Sequence, residues 1–446
     1  GYPTAQPRGV VPPPLRPGGS VSRGLAGFGQ ILRLDARLDR VRLPFWILAI
    51  VAFPISSYAT YDALFPTAEQ QAMANATVGS NPALLFLFGP SDLSTAGGFT
   101  AFRSVMFGGL FVALMAILTV VRHTRAEEDS GRAELVSSAR VGRYTFLATA
   151  FTLASLASVA AGGIGTLGLI GLGADSAGAM SLGVAFAFTG FVFGGIAGVC
   201  VQIGAYARTA TSLALGVLGA AFLLRAWGDT SVSLAWISWL SPLGWAVKVQ
   251  AFSENNLFPL LLMLVAGIAT FLLGVVLRGH RDLGMSLISP RDGHPHASRF
   301  LSTCFGLTSR LQRPGLIAWG FGLMIAGVVV GSVSGSIGEV LGDSGFGSAF
   351  AGGGDFESVF LTTLVSVLGM LSAVYGVQAA LRSRSEEIDG RVEPLLDTTL
   401  KPIRWNGGYL AFALPGSALV VVGAGITLGL SAQAFGGEAP LSAVVA

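Results

Sequence analysis

Charge is scarce in this sequence. Asp, Glu, Lys and Arg make up only 11% of its 446 residues, where a soluble domain carries roughly 25%, and long apolar runs hold none of the four. One large water-soluble core is thereby excluded, and many membrane spans are indicated. Lysine is nearly missing, since Lys248 and Lys401 are the only two. Cysteine is limited to Cys200, within an apolar run, and Cys304, in a basic loop; a disulfide framework is excluded, and each reads as a small packing residue. No G-x-x-x-x-G-K-[ST] occurs, so no P-loop cradles a phosphate here and the chain is not an ATPase of that type. Alternating ten-residue segments are absent, which rules out a β-barrel. The first forty residues lack the apolar core of a cleavable signal peptide, so the first span is expected to be retained as an anchor.

What is present is apolar and glycine-rich. Hydrophobic residues are 52% of the chain, with 62 glycines, and the preference for arginine over lysine suits a GC-rich genome such as an actinobacterium's. Nine segments reach membrane length, at 43–61, 104–121, 146–172, 180–204, 212–227, 257–277, 316–333, 358–381 and 409–430. Each is expected to be a helix, because a segment in hydrocarbon must satisfy its own backbone. A cytoplasmic N-terminus leaves only Arg103, Arg225 and Lys248 of the 27 Lys and Arg on or near the outer side. Acidic residues divide almost evenly, so the cations carry the asymmetry, as the positive-inside rule requires.

Before the first span, residues 22–42 place Leu25, Phe28, Ile31, Leu32 and Leu38 where they can share a helical face beside Arg33, Arg37 and Arg40. The pattern fits an amphipathic helix on the inner leaflet, or a cytoplasmic extension of the first span. The expected organisation is a disordered Pro/Gly-rich N-terminus at 1–21, the interfacial helix at 22–42, a first transmembrane half of six spans at 43–281, a cytoplasmic linker at 282–309 and a second half at 310–446.

The chain also repeats itself. RLDRVRLPFW at 37–46 returns as RLQRPGLIAW at 310–319, and RAEEDSGRAE at 125–134 returns as RSEEIDGRVE at 384–393. Each copy of the second motif follows the second span of its half and precedes an Arg-aromatic pair, Arg143-Tyr144 or Arg404-Trp405. A duplicated unit is indicated, with parallel repeats. The expected fold class is an all-α polytopic membrane protein with two parallel, pseudo-symmetric helical bundles. The second bundle shows only three spans, so roughly 100 residues, the length of three further spans with their loops, are expected to be absent. Within a helical motif Arg125 and Asp129, and Glu128 and Arg132, stand four apart and can pair. Gly131 and Gly390 permit a turn. One such motif would read as a solvated charged turn; two at equivalent positions point to a role.

These segments resemble the ABC type-2 exporter permeases, in particular the fused two-half permeases of actinobacterial exporters of polyketide antibiotics such as tetronasin. The resemblance covers nearly the whole chain and rests on RLDRVRLPFW, RAEEDSGRAELV, LGVLGAAFLLRAWGD at 215–229, WLSPLGWA at 239–246, RDLGMSLISPRDG at 281–293 and RSEEIDGRVEPLL at 384–396. It implies a multi-pass protein of the bacterial inner membrane that exports amphipathic drugs. The work would be driven by a separate ABC ATPase, two copies per permease, which holds the ATP and Mg²⁺; this chain would bind no cofactor or metal. The implied ATPase-docking residues are Arg125, Glu127, Glu128, Gly131, Arg132 and Glu134, with Arg384, Glu386, Glu387, Gly390, Arg391 and Glu393 in the second half. Ile388 departs from the pattern, standing where the first half has Asp129, so the two docking surfaces need not be equivalent. The Trp239 to Trp245 stretch resembles a short re-entrant hairpin on the outer side.

Other signals point away from chemistry by this chain. Gly163, Gly165 and Gly168 satisfy G-x-G-x-x-G inside an apolar helix, without a strand or acidic partner, and are expected to serve helix packing. His294 and His296 lack neighbouring ligands for a metal, and His123 and His280 sit at helix ends, where interfacial contact suffices. No catalytic set can be assembled at membrane depth, so a transport subunit rather than an enzyme is expected, with lipid and amphipathic cargo as partners and no nucleic acid. The spans offer Phe, Met, Ser and Thr and no buried charge that could neutralise an ion. Phe102, Met106, Phe107 and Phe111 on the second span, with Leu218, Phe222 and Leu223 on the fifth, are candidate pathway residues; each also reads as a lipid-facing or packing residue. An ion-coupled secondary transporter and a polytopic membrane enzyme or structural subunit are the alternatives. The first would be expected to carry an intramembrane Asp, Glu or His, and none lies in the spans.

Overall fold

The computed structural model describes residues 24–80, 82–137, 141–229, 232–281, 286–287, 299–341, 356–388, 390–397 and 400–434. No strand occurs among them, and eight helices are long and apolar enough to cross a membrane. The chain is therefore an all-α, multi-pass membrane protein. The 1–21 segment and His294 and His296 lie outside the described residues. Two compact units are formed, one from residues 1–75 and 88–290, the other from 76–87 and 291–446.

The first unit contains α1 (Phe28–Leu38), α2 (Arg42–Leu64), α3 (Ala96–Arg122), α4 (Arg125–Asp129), α5 (Arg132–Ser137), α6 (Thr145–Gly171), α7 (Ser176–Ile203), α8 (Ala207–Gly228), α9 (Ala235–Ser238), α10 (Pro242–Lys248) and α11 (Leu257–Gly279). Side-chain caps mark where the spans begin. Thr95 accepts from the Gly98 amide at 3.0 Å, Asp175 from Gly178 at 2.8 Å and Asn256 from Phe258 at 3.0 Å, each satisfying an amide that the first helical turn leaves unmatched.

Helix α7 packs against α6, α11 and α3. In hydrocarbon, apolar area alone does not drive helices together, and close backbone approach does. A Cβ on Gly162 of α6 would lie 2.1 Å from the Gly183 carbonyl oxygen of α7, so only glycine permits this crossing. The G-x-G-x-x-G run turns out to be partly a packing face. A Cβ on Gly168 would meet Ile55 of α2 at 2.6 Å, one on Gly165 would touch Pro54 at 4.0 Å, and one on Gly163 would face open space.

Helices α9 and α10 fold back into the bundle. Ser241 Oγ donates to the Ala221 carbonyl of α8 at 2.6 Å and caps α10 through the Gly244 amide, while Leu243 is buried beside Met106. Close by, the expectation that the spans hold no buried charge is corrected. Arg225, in the last turn of α8, is fully buried, 3.6 Å from Asp229 and over the Phe222 ring at 5.1 Å. The four-residue spacing lets one carboxylate just past the helix end neutralise a cation just inside it.

At the other end of α3, His123 lies between two carboxylates. Its Nε2 is 2.7 Å from Asp39 and its Nδ1 3.2 Å from Asp35, while Arg122 reaches Asp39 at 3.1 Å. An imidazole facing carboxylates on both nitrogens must carry both protons, since either neutral tautomer would turn a lone pair on an anion. Interfacial contact was thus too weak a reading of His123, which fastens α1 to α3. Burial by itself would raise the Asp39 carboxyl, but the His123 hydrogen bond and the charges of His123, Arg122 and Arg42 outweigh it and hold the group below its ordinary value. Its contribution is complete above the ordinary carboxylate range and is lost as pH falls below it.

The second unit contains α12 (Cys304–Leu341), α13 (Phe356–Ile388), α14 (Glu393–Leu396) and α15 (Pro402–Ala434). The expected span at 316–333 lies within α12. Here too glycine sets the contact, because a Cβ on Gly327 would meet the Ala424 carbonyl at 2.4 Å. Thr427 donates to Met324 O at 2.9 Å and Ser431 to Val328 O at 2.6 Å, tying α15 to α12. Cys200 and Cys304 are both free thiols.

Two substitutions separate close packing from open surface. Gly162→Ala is expected to lower the thermal midpoint of the detergent-solubilised chain, by roughly the 1–3 kcal/mol of overpacking, while Gly163→Ala leaves it unchanged or slightly higher. His123→Ala, which takes the buried partner from Asp35 and leaves Asp39 with Arg122 alone, should cost about 3–5 kcal/mol and release α1, detectable as new protease sensitivity near residue 38.

Candidate functional site

The repeated motif gathers where several helices end. In the first copy, α3 passes through His123 and Thr124 into α4, the five residues RAEED, three of whose side chains reach the ends of other helices. Arg125 is buried, and its Nε donates to the Ala205 carbonyl, just past the C-terminal end of α7, at 2.9 Å, with Nη2 on the same oxygen. Asp129 accepts from the Ala207 amide at the start of α8 at 2.6 Å. Glu128, its side chain only 9% exposed, receives Arg281 at 2.6 Å and Arg125 at 2.8 Å, with Arg278 at 4.0 Å. Arg278 lies in the last turn of α11 and Arg281 just beyond it.

The chemistry of this bracket follows from helix polarity. A helix presents unmatched carbonyls and partial negative charge at its C-terminal end, and unmatched amides and partial positive charge at its N-terminal end. A base at the first position of RAEED meets the end of α7 and an acid at the fifth meets the start of α8. The fourth residue, Glu128, answers the arginines that close α11. One short helix therefore holds three span ends.

Gly131, at φ +73°, then turns the chain into α5. Because the helix breaks there, the expected pairing of Glu128 with Arg132 does not form. Arg132 pairs with Glu127 instead at 3.0 Å, while Arg125 and Asp129 do approach, at 3.5 Å. Past the turn, Ala133 is buried and Arg132, Glu134 and Leu135 are exposed.

The second copy reproduces the outer part of this geometry. Gly390 adopts φ +68°, Arg391 pairs with Glu386 at 2.7 Å, Val392 is buried where Ala133 was, and Glu393 is exposed like Glu134. The inner part differs. Arg384 and Glu387, the equivalents of Arg125 and Glu128, are exposed, and so is Ile388, which replaces the acid that caps α8. Glu386 is the buried glutamate here, held by Arg391 and by Arg382 at 3.6 Å.

The candidate pathway residues are scattered. Met106 and Leu218 are buried together in a core with Leu243, Phe222 lies under Arg225, and Leu223 is exposed. Phe102, Phe107 and Phe111 of α3 belong to one chain of ring contacts. Phe102 meets Phe88 at 4.5 Å, Phe88 meets Phe107 at 5.5 Å, Phe107 meets Phe53 at 6.0 Å, Phe53 meets Phe111 at 5.5 Å and Phe111 meets Trp46 at 6.3 Å. Sequence reasoning missed Arg278, Arg281 and the Asp35/His123/Asp39 clamp. The clamp had a signal, because Asp35 falls on the stripe of Ile31 and Leu32 with Asp39 one turn on, and acids on an apolar stripe demand a buried partner.

A family model described as multidrug efflux system permease Rv1217c, C-terminal domain, matches residues 28–278 and 301–446. The multidrug efflux system permease protein Rv1217c of Mycobacterium tuberculosis (strain ATCC 25618 / H37Rv) is 38% identical over 427 residues, covering 94% of this chain and 77% of that protein. With both of its units matched, the chain belongs to the Rv1217c family of multidrug efflux system permeases.

Proposed function

We propose that this chain is the membrane-embedded permease of an ATP-driven ABC exporter in the bacterial inner membrane, with its N-terminus in the cytoplasm and amphipathic drugs as cargo. The observation that carries the reading is the doubled hinge, a left-handed glycine with its Arg-Glu pair at equivalent points of two repeats, tied in the first copy to the ends of α7, α8 and α11. The name of the M. tuberculosis relative supports drug efflux. A polyketide cargo rests on the sequence resemblance.

In this reading two copies of a separate ATPase hold the ATP and Mg²⁺, one beneath each hinge, and the complete transporter has two bundles of six spans. Nucleotide-driven closure pushes on the exposed side chains Arg132 and Glu134, and on Arg391 and Glu393. Through α4 the displacement reaches three span ends together, and one bundle rocks against the other to expose the pathway outward.

Magnitudes divide the motif into a docking part and a transmitting part. The Arg132–Glu127 pair is partly solvated and worth about 0–1 kcal/mol to stability. Removing Glu128 would leave buried guanidinium groups without their carboxylate, at a cost of about 3–5 kcal/mol. Arg132→Ala with Glu134→Ala is therefore expected to leave the thermal midpoint unchanged while reducing permease-stimulated hydrolysis by a co-purified ATPase by about fivefold or more. Glu128→Ala lowers the midpoint itself. Full stimulation in the Arg132/Glu134 variant, or in the matching Arg391/Glu393 variant, would remove the assigned coupling role.

A further inference from the structure

At the end of α3 remote from α4, a cavity of about 370 Å³ opens between residues 88–92, the first turns of α3 and residues 247–254, which run from the last turn of α10 into the loop after it. Its floor is apolar, formed by Phe88, Phe102, Val105 and Val247. Its rim is polar and carries two carboxylates, Asp92 and Glu254, and no Lys or Arg is among the described residues that line it. The size and the make-up, an apolar floor with a few polar groups, are those of a small-molecule site.

The walls are held in place. Tyr61 Oη donates to Leu93 O at 2.9 Å, the Leu93 amide donates to Asn75 Oδ1 at 2.9 Å, and Ser91 Oγ donates to Gly98 O at 3.0 Å. On the opposite wall Asn255 Oδ1 accepts from the Phe252 amide at 3.1 Å. The Phe252 ring is wedged between glycines of two helices, since a Cβ on Gly97 or Gly178 would meet it at 2.6 or 2.2 Å. A cavity held this way needs little ordering on binding.

Three properties restrict the occupant. The floor selects an apolar body, and the Phe88 and Phe102 rings, 4.5 Å apart, offer π faces that attract cations. The two rim carboxylates repel anions and attract cations within a Debye length. The cavity also forms the first rung of the ring series that runs through Phe107, Phe53 and Phe111 to Trp46.

We infer that this cavity is a binding site for amphipathic aromatic cations, with Phe88 and Phe102 holding the rings and Asp92 and Glu254 the charge. Its place in transport, as the station that cargo occupies before leaving the bundle, rests on the export reading; the site itself does not. Asp92 keeps its Oδ1 bond to the Ser94 amide, at 2.9 Å, when changed to asparagine, and Glu254 is exposed, so neither substitution disturbs the fold.

Equilibrium dialysis of the purified chain with tetraphenylphosphonium and with neutral triphenylphosphine oxide tests the inference. Asp92→Asn with Glu254→Gln is expected to weaken tetraphenylphosphonium binding roughly five- to tenfold and to leave the neutral compound unaffected, while Asp62→Asn, an exposed carboxylate outside the cavity, changes neither. Added salt should weaken only the cation. Equal loss for both compounds, no loss for either, or no binding of tetraphenylphosphonium to the unaltered chain would overturn the site. Carboxylate-dependent binding in a complex that exports no amphipathic compound would sink the export reading and leave the site standing.

Discussion

Every helix that stops at a membrane surface leaves four amides or four carbonyls without an intrahelical partner, and in this bundle three such ends converge on α4. Arg125 takes the carbonyl end of α7, Asp129 the amide start of α8, and Glu128 the arginines closing α11. The polar demands of three spans are thus answered by three side chains of one five-residue helix, which cannot shift without leaving several of those groups unmatched. A segment under that constraint moves with the spans it caps. In the first copy the same constraint accounts for a base at the first position of α4 and acids at the fourth and fifth.

Span positions and the internal repeat were legible in the sequence because hydropathy and self-similarity are one-dimensional properties. The inward or outward direction of each charged side chain was not. Glu127 and Glu128 are neighbours of one type, and what turns Glu128 inward is Arg281, 153 positions further on. Arg225 looked like an ordinary outer residue because Asp229 lies past the apolar run, and only the spacing of four ties the two together. Gly131 also mattered more than a pattern of i and i+4 pairs could reveal. The pattern assumes one continuous helix, and the positive φ at Gly131 moves Arg132 away from Glu128 onto Glu127.

The two copies show what duplication retained and what it released. Retained are the backbone turn, the Arg-Glu pair that spans it and the buried residue that seats it. Released is the acid at the fifth position that caps α8, Asp129 in the first copy, where the second has Ile388. The buried glutamate changes as well, since Glu128 answers cations from another helix, whereas Glu386 answers Arg382 of its own helix and Arg391 past the turn. The two hinges therefore present similar outer surfaces on differently anchored bases. In the proposed reading, a partner ATPase engages both alike and moves them by different amounts.

Within the first unit, α3 joins the hinge to the cavity. Its apolar stretch is 72% buried, as is that of α7, against 22% for α8 and α11, so α3 and α7 form the interior on which the others pack. Interiors packed at crystal-like density transmit displacement rather than absorb it. One terminus of α3 carries the His123 clamp and the hinge, and its first turns supply Phe102 and Val105 to the cavity. A shift of α4 along the axis of α3 would therefore act on Phe102 and Val105, the part of the cavity floor that α3 supplies, opposite the loop after α10 that carries Gln250 and Glu254. The glycine contacts at Phe252 tie that loop to α3 through Gly97 and to α7 through Gly178, so a relative movement of α3 and α7 is what would reshape the cavity.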